Sequence, residues 1–382
     1  MDLTSLGLLV AMVFGILGMD TALNPTTVLL EVSVPSKLEN AVIDQDIVSA
    51  ILAGEVSRIS ATPSIVSAPE IRVGATKGVA MAIAESLKLQ SVVLALQSQL
   101  GLVPEQLKLA LMTEGNVNKV VVSGSGQGGR VKTPPFEAVV SQRKGETILE
   151  LVHRASIVGL SRIDPYFTAL HLLQKNAAGK DFTDVDELVA ATIAALPPTP
   201  VNQDRALFEN LQGIVWLFKA KPDQALTAFN KAIASDPDGI AQVLNAGFVE
   251  IQLDRYKDAD RRMRQFIETT PPRDRVLLST AYMIWAGAHV GMKDFHGANA
   301  KLAHAVATNP DSSLALALWS EIKAEQGQKD EAAALNRRAL EASGSFENYA
   351  EVAALYFQLA WRDGQPLTRS QFTNPGTVRL LD

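Results

Sequence analysis

Residues 222–237 read PDQALTAFNKAIASDP, and the pattern inside them decides the fold of the C-terminal half. Ala225, Phe229, Ala232 and Pro237 stand at offsets of four, three and five. The same offsets return 34 residues on, at Ala259, Met263, Phe266 and Pro271. They return 39 residues later at Ala298, Leu302, Ala305 and Pro310, and 34 later again at Ala332, Asn336, Ala339 and Gly344. Spacings of three and four place the first three positions on one helix face. A period in the thirties marks a helix-turn-helix unit that buries its apolar face only by stacking on copies of itself. About five residues are inserted between the second and third copies.

Upstream of each copy a small residue recurs at Gly213, Gly247, Ala286 and, less well matched, Ser320. Trp216 follows Gly213 by three, where the later copies carry Glu250, His289 and Lys323. With these residues the pattern resembles the tetratricopeptide repeat from Ala206 to Phe346, and the resemblance implies an all-α solenoid of about four repeats over 206–346. It also implies that the first helix of each repeat lines a concave groove that holds a peptide. Positions that clamp a carboxylate in that family fall here on Asn210, Ile214, Asn245, Thr280 and Ile284. Only Asn245 matches in kind and no cation is present, which argues against a carboxylate clamp. Leu217, Leu244, Phe248, Ile251 and Met283 add an apolar lining. The candidate protein-binding groove is therefore Asn210, Ile214, Leu217, Leu244, Asn245, Phe248, Ile251 and Met283, suited to a partner's amphipathic helix or extended apolar segment. The competing reading is that these side chains only pack one repeat on the next. Residues 347–361 are expected to cap the array and 362–382 to form an extended tail.

Residues 27–175 read as a small α+β domain. Thr27–Pro35 is rich in β-branched residues, as a strand is. Ala41–Ile59 and Lys77–Leu96 follow helical spacing, and a shorter helix is expected after Pro104. Val117–Ser123, Phe136–Gln142 and Thr147–His153 read as three strands, with Gly145 and Glu146 turning between the last two. Arg154–Gln174 reads as helical, with Pro165 opening a new helix capped by Asp164. This order predicts helices on one face of an antiparallel sheet. In outline it resembles the α/β modules set beside repeat arrays in single-span bacterial signalling and envelope proteins. Ser123–Gly129 (SGSGQGG) lacks a following helix and a Gly-Lys-Ser/Thr, so it reads as a connection between strands and not as a phosphate loop. Residues 176–204 form a linker with a short helix from Asp184 to Leu196, then the stiff stretch LPPTPVN, where the domain boundary is placed.

Leu3–Met19 is a 17-residue run without a charge. A buried helix and a cleaved signal peptide are the alternatives, and an uncleaved transmembrane anchor is the reading taken. It predicts a single-pass inner membrane protein, with the body on the periplasmic side.

The chain of 382 residues has 47% hydrophobic residues, a net charge of −6 and no cysteine. The charge gives no electrostatic case for nucleic acid. The absence of cysteine excludes thiolate catalysis and Cys-ligated zinc. Among the five histidines, His289, His296 and His304 are spaced by seven and eight, with no recurring acidic partner. Arg255, Lys257, Arg261, Arg262 and Arg264 interleave with Asp254, Asp258 and Asp260, as on a solvated convex face. No catalytic motif stands out and no cofactor or metal is implied, so the chain is read as a non-enzyme. The expected function is a membrane-anchored scaffold recruiting protein partners through its groove. The alternative is an envelope sensor whose middle domain binds a small molecule or a neighbouring subunit.

Overall fold

The computed structural model describes residues 28–34, 45–62, 105–115, 117–126, 133–177, 181–269 and 274–342. The expected anchor at 3–19, the helix at 77–96, the cap at 347–361 and the tail at 362–382 lie outside them. Among the described residues no helix is long and apolar enough to cross a membrane. Two compact units divide the chain between His171 and Leu172.

The first unit holds a four-stranded sheet in the order β1 (Val28–Ser33), β2 (Glu105–Glu114), β3 (Val117–Gly126), β4 (Thr133–Ser141). β1 pairs parallel to β2 and the other pairs are antiparallel, so the sheet is mixed and not purely antiparallel. Leu107, Leu109, Leu111, Val120, Val122 and Val140 are buried, while Lys108, Met112, Glu137 and Val139 are exposed. That alternation gives the sheet one covered face. Against the sheet pack α1 (Gln45–Ser60) and α2 (Ile148–Ile163), which also touch each other.

Three expectations for this unit are corrected. The segment after Pro104 is strand β2 and not a helix. Its Leu, Ala and Met are helix formers, but Leu107, Leu109 and Leu111 repeat with period two, and pairing on both sides decides the outcome. Thr147–His153 opens helix α2 and is not a strand. Thr147 caps it: its hydroxyl accepts from Glu150 N–H, and its own N–H donates to Glu150 Oε2 at 2.7 Å. This capping box outweighs the β-branched residues around it. The Gly145 turn, at φ 83°, therefore leads from a strand into a helix. Finally, Ser123–Gly126 belongs to β3, with an irregular register between Gly124 and Gly126. Pro165 opens α3 (Pro165–Ala177) as expected, and Phe167 N–H donates to Asp164 Oδ1 at 3.1 Å.

The second unit contains α4 (Thr183–Ala195) followed by four helix pairs. These are α5 (Gln203–Phe218) with α6 (Pro222–Ser235), α7 (Ile240–Gln252) with α8 (Tyr256–Thr269), α9 (Arg275–Gly291) with α10 (Phe295–Thr308), and α11 (Ser313–Glu325) with α12 (Lys329–Ala342). Within the expected linker, α4 packs on α5, with Phe182 and Phe218 rings 5.2 Å apart.

Each pair turns in the same way. Ala220, Asp254, Lys293 and Gly327, all at positive φ between 55° and 77°, stand just past the first helix of each pair. The following N–H closes back onto the helix: Lys221 to Trp216 O, Arg255 to Glu250 O, Asp294 to His289 O and Gln328 to Lys323 O, at 2.7–2.9 Å. A left-handed residue satisfies the helix's last carbonyls and reverses the chain within one turn. Only the fourth of these residues is a glycine.

Candidate functional site

In the first two pairs the first helix meets the second at its small residue. A Cβ on Gly213 would sit 2.3 Å from the Phe229 ring, and one on Gly247 would sit 2.7 Å from Met263 Cε. Glycine there lets the large residue of the second helix enter, which explains the pairing of small and large positions in the sequence. Ala225, Phe229 and Ala232 are completely buried, as are Ala259 and Met263, Ala298, Leu302 and Ala305.

The stack is continuous along the first helices, because α7 contacts α5 and α9, and α9 contacts α11. Asn245 Nδ2 donates to Asn210 Oδ1 at 2.9 Å, joining the first two repeats by a buried amide pair. Ile251 approaches Gly287 so closely that a Cβ there would lie 3.1 Å from its Cδ1. Of the candidate groove residues, Asn210, Ile214, Leu244 and Asn245 are at most 1% exposed. Leu217, Met283, Phe248 and Ile251 keep 4, 5, 7 and 8%. The fold thus uses all eight in packing, and the last four keep most of the little contact with solvent.

The position after each small residue forms a row of Ile214, Phe248, Gly287 and Glu321. It ends on a half-buried acid: burial, and then the charge of Glu325, push the Glu321 carboxyl up to about 8. The row therefore carries an uncharged acid at neutral pH. Glu321 carries no sequence signal of its own beyond its place one residue after Ser320.

Where the repeat pattern loses its aromatic residue, polar partners replace it. Trp216 lies under the ammonium groups of Lys219 and Lys221, at 5.3 and 5.1 Å. At the equivalent place Glu250 takes a two-pronged bond from Arg262 at 2.6 and 2.9 Å. His289 Nδ1 lies 2.8 Å from Asp294 Oδ2, and the Gly297 N–H and then His289 hold the Asp294 carboxyl below its usual range. Lys323 Nζ reaches Glu331 Oε2 at 2.8 Å. Each contact ties the first helix of a pair to the turn or second helix behind it.

The basic residues in α8 and in the turn before it are largely paired: Arg255 with Asp223, Arg261 with Asp258, Arg262 with Glu250 and Arg264 with Asp260. His304 stacks on Tyr282 at 5.2 Å and His289 faces two aspartates, Asp260 and Asp294.

Four stacked antiparallel helix pairs with this packing make the second unit a tetratricopeptide-like array. No family model and no curated protein matches the chain. Among solved structures it is similar to a MamA RS-1 ArsTM double mutant, at 14% identity over 45% of this chain and 93% of that one, with a TM-score of 0.35. It is also similar to PilF of Pseudomonas aeruginosa, at 14% identity over 51% of this chain and 92% of that one, with a TM-score of 0.37. At such scores the likenesses carry no argument, and the assignment of the array rests on its own helix pairs.

Proposed function

We propose that this chain is a protein-interaction scaffold whose helical array recruits a partner. The observation that carries the reading is the unbroken run of α5, α7, α9 and α11, which gives the array one continuous inner face. A surface of that length suits an extended or helical segment better than a compact small molecule. Leu217, Phe248, Ile251 and Met283 are the apolar anchor points, and Asn210, Ile214, Leu244 and Asn245 hold the floor beneath them. The partner is a protein segment with an apolar face. In this reading residues 3–19, an uncharged apolar run, tether the scaffold to a bacterial inner membrane with its body on the periplasmic side.

Crosslinking and pull-down from detergent-solubilised membranes, with the full chain and with a deletion of residues 206–346, tests the proposal. Partners lost with the deletion support recruitment by the array. Partners that persist place recognition elsewhere in the chain and overturn it.

A further inference from the structure

Where α4 packs on α5, the second unit holds a cleft of about 350 Å³ that none of the candidate groove residues lines. Ala190, Ile193 and Ala194 face it from α4 at helical spacing, and Leu196 and Pro198 close it from the stiff stretch beyond. Arg205 and Gln212 come from one face of α5, about two turns apart. The two helices run antiparallel, since Arg205 meets Ile193 near one end and Lys219 meets Asp186 at the other. The cleft therefore runs from Arg205 toward Gln212, past Ile193 and Ala190.

Arg205 is held without being used up. Its Nε donates to Glu209 Oε1 at 3.0 Å, and its Nη1 reaches the Ile193 carbonyl at 3.5 Å. Glu209 is buried, and its other oxygen accepts from Ser235 Oγ at 2.8 Å, so both its oxygens are engaged. These bonds fix the guanidinium while leaving the Arg205 side chain 27% exposed. A guanidinium has more donors than two bonds use, and among the described residues Nη2 has no acceptor. The Gln212 amide is half-buried and likewise has no hydrogen-bond partner among them. Among the described residues no acidic side chain lines the cleft. An apolar wall is thus faced by one cation with a donor to spare and one free amide.

We propose that this cleft binds a small aliphatic carboxylate with a hydroxyl at the far end of its stem. The carboxylate accepts from Arg205 Nη2, the stem lies along Ile193 and Ala190, and the hydroxyl pairs with the Gln212 amide. An ammonium would meet the Arg205 guanidinium, and a purely apolar ligand would leave both polar groups unpaired. The volume lies at the small end of ligand sites, roughly 300–1,000 Å³. The site is separate from the recruiting face of the array, so either reading can fail alone.

The test is isothermal titration calorimetry of the full chain with hexanoate and 6-hydroxyhexanoate, with hexanol and hexylammonium as controls. The hydroxy acid should bind about three- to tenfold more tightly than hexanoate, and Gln212→Leu should erase that advantage. Arg205→Gln removes the charge and should weaken both carboxylates at least about tenfold. Ala194→Trp fills the cleft from an exposed position and should abolish binding with Arg205 untouched. Far-UV circular dichroism establishes that each variant is folded, and if Arg205→Gln is not, Ala194→Trp decides. Absence of binding by both carboxylates overturns the proposal. So does equal binding to a folded Arg205→Gln, undiminished binding to Ala194→Trp, a hydroxyl advantage that survives Gln212→Leu, or hexylammonium binding as tightly as hexanoate.

Discussion

Helix α2 meets the sheet through Gly159, and helix α5 meets its partner through Gly213. A Cβ on Gly159 would lie 2.6 Å from Leu107 and 2.9 Å from Val122, and one on Gly213 would lie 2.3 Å from Phe229. Both units use a glycine to admit large neighbours. In the α/β unit the neighbours come from two strands far away in sequence. In the array the neighbour comes from the next helix, and the arrangement recurs at Gly247 with Met263. A defect at Gly159 therefore damages one sheet-helix interface with no copy, whereas a defect at Gly213 falls on one repeat of four.

The largest expected effect is from Phe229→Ala, which empties the space beside Gly213 and should cost about 3–5 kcal/mol. Denaturant unfolding of the full chain measures it. A loss below about 1 kcal/mol would mean that the first pair is not held by this contact. Next come Gly159→Val and Gly213→Val, each overpacked by about 1–3 kcal/mol. Amide hydrogen exchange should separate them: Gly159→Val loosens β2, β3 and α2 together, whereas Gly213→Val loosens α5 and α6 and leaves α11 and α12 protected. Equal loosening of the whole array by Gly213→Val would break the comparison.

A smaller effect depends on pH. Glu321 holds its proton up to about 8 in the folded array, against a usual value of 4.5. Between those values the folded state binds the extra proton, so stability falls as pH rises and the loss is complete above the folded value. Glu321→Gln should flatten this contribution and raise Tm by a few degrees at alkaline pH. Thermal melts of both proteins across the interval check it. The smallest effect lies in the left-handed turns. Ala220→Gly should stabilise by about 0.5–1 kcal/mol, because φ 55° strains a residue with a Cβ. Gly327→Ala should destabilise by a similar amount, again read by denaturant unfolding.

The array was legible because its contacts repeat. Ala225, Phe229 and Ala232 define a face, and three further copies remove ambiguity about its period. The α/β unit offers each signal once. Leu107, Leu109 and Leu111 alternate, but their residue types favour helix, and only pairing with β1 and β3 makes them a strand. Thr147 and Glu150 announce a helix start, yet His153 and the β-branched residues before it also fit a strand. Groove residues were legible as positions and not as exposure. Asn210 and Asn245 satisfy each other across two repeats, and neither residue alone reveals that pairing. Glu55 sits three residues before Arg58, which reads as an ordinary helical ion pair. The approach of His153 Nδ1 to Glu55 Oε1 at 3.0 Å emerges only when α2 packs on α1.

Helix α7 has eleven consecutive buried residues, Ala241–Ile251. A helix wrapped on every side gains most from its neighbours, and in a linear array it has neighbours in both directions. The consequence is kinetic. Folding should nucleate around α7 and zip outward, so that the ends of the array close last. Ala246→Gly should slow refolding with a φ-value near one, whereas Ala333→Gly in α12 should leave the refolding rate unchanged and act on unfolding alone.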